Sequence, residues 1–187
     1  MPITHSRLRP DFTFKTFVVG ESNRFAFAVA CAVAEKPGRR FNPLLLLGAA
    51  GLGKSHLLHA IGHELRQRGG GERILLVSAG ALVEEIAGAR RRGAPGVAEL
   101  REKLGDYGAL LIDDAHVLKA HRKAVAELAK VIAVLHRRKA QVVIAARATE
   151  GMNLRGLEEP LCMQFEWGMR VQIDRARVRG SRPIISF

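Results

Sequence analysis

Gly48-Ala49-Ala50-Gly51-Leu52-Gly53-Lys54-Ser55 lies between the apolar run Leu44-Leu45-Leu46-Leu47 and a stretch, Lys54 to Arg68, that places Leu57, Leu58, Ile61 and Leu65 on one helical stripe. A Gly-x4-Gly-Lys-Ser segment after a buried strand and before an amphipathic helix meets both structural conditions for a Walker A loop. Gly48, Gly51 and Gly53 let backbone N–H groups turn onto phosphate oxygens where a side chain would clash, and the helix N-terminus adds its positive dipole end. Lys54 is placed to reach the β- and γ-phosphates. The Ser55 hydroxyl is a hard oxygen ligand suited to Mg²⁺.

Outward from this loop, short apolar runs alternate with helical segments, the pattern of a parallel sheet covered by helices on both faces. Ile74-Leu75-Leu76-Val77, Ala109-Leu110-Leu111-Ile112 and Gln141-Val142-Val143-Ile144 read as three further buried strands. Helices are expected over Asn23 to Glu35, ended by Pro37-Gly38, and over Lys54 to Arg68, ended by Gly69-Gly70-Gly71. Ala81 to Arg92 forms another, broken at Gly93-Ala94-Pro95-Gly96, and a partner runs on to Leu104, so a helical pair is inserted before the third strand. Arg122 to Arg138 covers the next connection.

The third strand ends in Asp113-Asp114, a Walker B candidate. Asp113 is expected to hold Mg²⁺ and Asp114 to orient the attacking water as the catalytic carboxylate. A helix cap and turn is the alternative for such a pair. His56, His59 and His63 fall within two turns of one helix, but no HExxH pattern accompanies them, and the helix serves the phosphate loop.

With 187 residues, 48% hydrophobic and 26% charged, the chain is expected to be one soluble domain. No stretch has the apolar length of a membrane span, and the first twelve residues lack a signal-peptide core, so a cytoplasmic protein without membrane partners is expected. Cys31 and Cys162 fit no metal or redox spacing and read as small buried hydrophobes. A net charge of +12, with clusters at Arg90-Arg91-Arg92, at Arg137-Arg138-Lys139 and along Arg170, Arg175, Arg177, Arg179 and Arg182, favours polyanions such as DNA or a solvated basic face.

The wording around the two nucleotide motifs resembles the AAA+ domain of the bacterial chromosomal replication initiator (DnaA) family. Phe12-Thr13-Phe14-Lys15-Thr16-Phe17-Val18-Val19-Gly20, Asn23-Arg24, Asn42-Pro43-Leu44, Gly51 to Leu57, His59-Ala60-Ile61-Gly62-His63, Leu111-Ile112-Asp113-Asp114 and Phe165-Glu166-Trp167-Gly168 carry the likeness, over about Arg9 to Gly168. The resemblance implies an AAA+ P-loop domain over 1–168, with 81–104 as the initiator-specific insertion. It also implies ATP or ADP as ligand, held by Gly48 through His56 with Val19 against the adenine, and assembly of initiator subunits at an origin. Single-stranded DNA contact after Walker B is implied at Lys123, with His121 beside it and a solvated lysine as the alternative.

Three departures qualify that expectation. Ala145-Ala146-Arg147 stands where the family carries a polar sensor segment. Gln164 stands at the position of an arginine finger, whose loss costs about 10³ to 10⁵ in rate, so slow hydrolysis and weaker ATP-dependent stacking are expected. Beyond Gly168 no helical lid or helix-turn-helix pattern is read, and 169–187 is a basic tail, either genuine or the product of truncation or a frame shift.

Overall fold

The computed structural model describes residues 6–68, 73–147 and 168–174. Outside them lie Gly69-Gly70-Gly71, the run Pro160 to Gln164 with its Cys162 and finger position, Phe165-Glu166-Trp167, and Arg175, Arg177, Arg179 and Arg182. The described elements are α1 (Arg24–Glu35), β1 (Leu44–Gly48), α2 (Lys54–Arg68), β2 (Ile74–Ser78), α3 (Ala79–Arg91), α4 (Gly93–Gly105), β3 (Ala109–Asp113), α5 (Arg122–Arg137), β4 (Gln141–Arg147) and β5 (Met169–Ile173). A 3₁₀ helix, Ala115–Ala120, follows β3.

All strand pairs are parallel, in the order β2-β3-β4-β1-β5. Side chains alternate across the sheet because successive strand residues point to opposite faces. Leu45, Leu75, Val77, Leu110, Ile112, Val142, Ile144 and Ala146 pack with α3, α4 and α5. Leu44, Leu46, Leu76, Leu111, Val143, Ala145, Val171 and Ile173 pack with α1 and α2. Burial on both faces explains why the strands read as continuous apolar runs. Leu57, Leu58, Ile61 and Leu65 are buried along α2, as the stripe requires.

Four expectations are corrected. Residues 169–173, expected in the basic tail, form β5, which pairs with β1 from Leu44↔Met169 to Gly48↔Ile173. Arg170 and Gln172 point outward while Val171 and Ile173 are buried, so the alternation hid an edge strand beneath an apparent basic run. Strand β4 continues three residues past Ile144 through Ala145 and Ala146, both buried, to Arg147. Ser78 caps α3 by accepting the Ala81 N–H at 3.2 Å, which starts that helix two residues early. Gly93-Ala94-Pro95-Gly96 is no break but the first turn of α4, where proline is tolerated; the chain reverses only at Arg92 and Gly93, with Gly93 at φ +75°.

Two further features tie the fold together. The buried Asn42 side chain donates to the Ala140 carbonyl at 2.8 Å and accepts the Val142 N–H at 2.9 Å, locking the start of β1 to the start of β4. Residues 6–17 run over α2 and are pinned there by its histidines. His59 Nδ1 accepts the Arg9 N–H at 3.0 Å, His63 Nε2 lies 2.8 Å from the Arg9 carbonyl, and His56 Nε2 lies 2.8 Å from the Thr13 carbonyl. The Phe12 ring stacks on His56 and meets His59 edge-on.

Candidate nucleotide site and basic groove

The parallel sheet sends the ends of β1, β4 and β3 to one edge, the edge where α/β sheets bind ligands. At this edge β1 leaves Gly48 at φ +152°, and the loop passes through Gly51 at +79° and Gly53 at +86° before α2 begins at Lys54. Two of these glycines are demanded by their surroundings. A Cβ on Gly48 would stand 2.4 Å from the Ile173 carbonyl oxygen, and one on Gly53 would stand 2.8 Å from the Phe17 ring. The open side of the loop is at Gly51, where a Cβ would meet nothing within 4 Å. Gly53 also starts the helix ladder, its carbonyl accepting the Leu57 N–H at 2.9 Å.

Lys54 folds its ammonium across the loop, donating to the Ala49 carbonyl at 2.6 Å. Burial lowers its pKa from the usual value; Asp113 and then Asp114 pull it back up, with Arg147 opposing them. The two Walker motifs are therefore within electrostatic reach of one another. Asp113 ends β3, and its Oδ1 accepts the backbone N–H of Asp114 at 2.8 Å. Asp114 sits at φ 54°, ψ 34°, immediately before the 3₁₀ helix, and its side chain makes no capping hydrogen bond. The helix-cap reading thus describes its backbone position and not the use of its carboxylate, which is exposed. His116 was not anticipated: its Nδ1 is buried, has no hydrogen-bond partner among the described residues, and stands 3.9 Å from Asp114 Oδ1.

Beside the loop, toward β5, a cavity of about 370 Å³ is lined by Phe17, Val18, Asn23, Gly53, His56 and Ile173, among others. Asn23 shapes its rim, donating to the Val18 carbonyl at 3.0 Å and accepting the Gly20 N–H at 2.8 Å. Among the expected cradle residues, Gly51, Leu52, Gly53 and His56 line this cavity, while Gly48, Ala49, Ala50, Lys54 and Ser55 do not. Val19 is not on its wall either; its neighbour Val18 is, and Val18 is 86% exposed. The residues Phe17 to Gly20 carry no periodic signal for which valine borders the cavity.

On the opposite face of the sheet, a second cavity of about 660 Å³ lies between α3 and the start of α5. Lys123 and His121 line it, joined by Arg90, Arg91 and Arg122, with Val83 and Ile86 in its floor. Arg90 and Lys123 are more than thirty residues apart, and no local motif announces their meeting. Glu127 of α5 draws the helices together. It is 8% exposed, pairs with Arg101 of α4 and with Lys130 at 3.1 Å, and lies 3.8 Å from Arg90 of α3. Burial works to raise the Glu127 carboxyl, but the hydrogen bonds from Arg101 and Lys130 prevail and hold it below the ordinary range.

Cys31 is only partly buried, and burial, then the Glu64 charge, pushes its thiol pKa up, which keeps it protonated. No helix among the described residues is long and apolar enough to cross a membrane.

Residues 8–172 match the model of the bacterial DnaA ATPase domain. The chromosomal replication initiator protein DnaA of Lachnoclostridium phytofermentans is 36% identical over 169 residues, covering 90% of this chain and 37% of that protein. Domain III of the Thermotoga maritima replication initiation protein DnaA superposes with a TM-score of 0.81 at 33% identity, covering 90% of this chain and 69% of that one. A replication initiator DnaA bound to AMPPCP and single-stranded DNA superposes with a TM-score of 0.80 at 29% identity, over 91% of this chain and 52% of the other. The chain thus spans little more than a third of the full-length relative, and the matched region reaches Gln172, within β5. With its parallel five-stranded sheet, its Walker A loop and its inserted helical pair, the chain belongs to the bacterial DnaA ATPase-domain family and has its AAA+ fold.

Proposed function

We propose that the chain is an ATP-dependent assembly switch associated with the initiation or regulation of chromosomal replication, one that holds ATP and hydrolyses it slowly or not at all. The carrying observation is the convergence of Lys54, Asp113 and Asp114 beside a loop in which Gly48 and Gly53 leave no room for side chains. In this reading the backbone of Gly48 to Gly53 cradles the phosphates, and Lys54 exchanges the Ala49 carbonyl for a phosphate oxygen. The base lies in the cavity lined by Phe17, Val18 and His56. The Ser55 hydroxyl and the Asp113 carboxylate are hard oxygen donors of the kind Mg²⁺ takes, and the bound ion would supply charge neutralisation to the phosphates. Asp114, exposed and uncapped, orients the attacking water.

Slow turnover follows from Gln164, which has no fixed positive charge to offer a neighbouring subunit's nucleotide. Lys123 and its groove are the proposed contact for single-stranded DNA. Support comes from the solved relative that carries AMPPCP and single-stranded DNA together, and from the basic lining of the groove. A cytoplasmic location without membrane partners accompanies this reading.

A second reading, a competent ATPase fragment, is favoured by the retention of both Asp113 and Asp114 at the sheet edge. Steady-state hydrolysis under saturating ATP separates the two. Saturable ATP binding with negligible turnover supports the switch, turnover abolished by Asp114→Ala supports the enzyme, and absence of ATP binding contradicts both.

A further inference from the structure

The phosphate loop occupies the carboxyl edge of the sheet, while the amino edge, at the other end of the strands, gathers cations from connections far apart in sequence. Arg39 and Arg40 precede β1, Arg73 precedes β2, and Arg138 and Lys139 precede β4. Backbone contacts join these connections into one surface. Gly38 packs so closely on the Lys139 carbonyl that a Cβ there would collide with it, and its N–H donates to Gln141 Oε1 at 3.0 Å. Arg39 is thereby set beside the turn between α5 and β4. The Arg73 carbonyl accepts the Gly108 N–H at 2.8 Å, and the Gly108 carbonyl accepts the Gln141 N–H at 3.0 Å, which ties together the entries to β2, β3 and β4. Arg73, Arg138 and Lys139 line a common cavity of about 470 Å³, walled by Gly105 to Gly108.

Two of these cations are held in place. Arg138 donates to the Gly105 carbonyl at 2.7 Å and pairs with Asp106 at 2.9 Å, and the Arg73 guanidinium lies 4.7 Å over the Tyr107 ring. Asp106 is the only carboxylate among the described residues of these connections, Glu72 lying outside them. Arg39, Arg40 and Lys139 are exposed, and no side-chain hydrogen bond or ion pair among the described residues engages them. Cations in the last turn of a helix, such as Arg68 and Arg137, answer the negative end of its dipole. Arg39, Arg40 and Arg73 stand outside the helices, and that account does not reach them. Lys139 adopts φ +58° directly after the C-cap of α5, where glycine is the usual residue, so an ammonium stands where the backbone alone calls for none.

We propose that the amino edge of the sheet binds the phosphate backbone of duplex DNA without reading its sequence, on a face separate from both the Lys123 groove and the nucleotide site. The strand order β2-β3-β4-β1 sets the cations in a row from Arg73 through Arg138 and Lys139 to Arg39. Neighbouring strands lie about 4.8 Å apart, so the row is about 14 Å long. One strand of a duplex carries a phosphate about every 3.4 Å along its axis, so about four phosphates can face the row. Guanidinium forks suit phosphate oxygens. Single strands are held by stacking bases on exposed aromatic rings, whereas here Tyr107 is buried beneath Arg73 and Phe41 packs against the core. The edge therefore fits a duplex, whose bases are already stacked.

Fluorescence anisotropy of the full chain with a labelled mixed-sequence duplex, and with oligodeoxythymidine of equal length, over a range of salt concentrations tests the proposal. The triple variant Arg39→Ala, Arg40→Ala, Lys139→Gly should weaken duplex binding about 30-fold or more and reduce the slope of log affinity against log salt by about 2.7, or about 0.9 per cation removed. Its affinity for oligodeoxythymidine should fall less than about threefold, and Lys54→Ala should leave duplex binding unchanged. Lys139→Gly alone should weaken the duplex several-fold while the melting temperature holds or rises. A control triple, Lys15→Ala, Arg24→Ala, Lys119→Ala, removes as many exposed cations toward the carboxyl edge and should cost less than about threefold. Equal loss of duplex binding in the two triples, equal loss of duplex and single strand in the edge triple, or an edge triple that keeps the duplex overturns the proposal. An edge triple that keeps the duplex but no longer sediments with phosphatidylglycerol vesicles would give the edge to a lipid surface instead. Thermal melts separate lost contact from lost fold, and Arg39→Gln with Arg40→Gln provides a second variant should the edge triple melt early.

Discussion

Lys54, Asp113 and Gly48 meet at the carboxyl edge because each stands at the end of a strand or the start of a helix, and a parallel sheet gathers such ends without long-range side-chain work. Arg90, His121 and Lys123 meet on the other face because three helices pack around the buried carboxylate of Glu127. The first region is built by backbone: positive-φ glycines, a helix N-terminus and strand termini. The second is built by tertiary electrostatics. A backbone-built site should fail through steric and conformational substitutions and tolerate the loss of distant charges, whereas the groove should do the reverse.

The largest expected effect tests the backbone half. Gly48→Val places a Cβ against the Ile173 carbonyl at a positive φ, and should cost at least about 3 kcal/mol with loss of nucleotide binding, read by chemical denaturation and ATP titration. Next is Glu127→Ala, which leaves Arg101 and Arg90 without their partner. A loss of about 2 kcal/mol is expected, with weaker single-strand binding and unchanged ATP affinity once the protein is folded. Equal damage to both ligands would erase the distinction between the regions. Smaller again is Lys123→Ala, expected to weaken oligodeoxythymidine binding several-fold and to reduce the slope of log affinity against log salt by about 0.7, with no change in ATP titration.

The smallest effect concerns pH. Burial is the leading cause that lowers His59 below its ordinary value, against an opposing pull from Asp113. The folded protein then binds fewer protons than the unfolded chain, so this contribution is complete above about pH 6.5. It is lost as pH falls from there toward the depressed folded value. The melting temperature should therefore drop on acidification through that window, and less steeply in His59→Asn; an unchanged slope would contradict the pinning of residues 6–17 by His59.

Legibility in the sequence followed the same division. The loop, α2 and the buried cores of the strands were readable because their signals are local: glycine spacing, a 3.6-residue stripe and short apolar runs. Asp113-Asp114 was readable as a Walker B candidate at a strand end once the loop was known. Strand β5 was not, because an edge strand alternates Arg170 and Gln172 outward and looks like a basic tail. The true start of α4 was hidden because Pro95 and Gly96 resemble a break, yet both fit in a first helical turn. Lys123 was singled out through the family resemblance, but Arg90 and Arg91 became its neighbours only through packing across more than thirty residues. Which of Val18 and Val19 faces the cavity depends on the hydrogen bonds of Asn23, which no periodicity encodes.

The central claim is that Gly48 to Ser55 holds ATP. Equilibrium titration of ATP with Mg²⁺ into the purified chain and into Lys54→Ala tests it directly. The account predicts saturable one-to-one binding by the unsubstituted chain and a loss of about 100-fold or more in the variant. Equal affinity of the two proteins, or no binding by either, would contradict it.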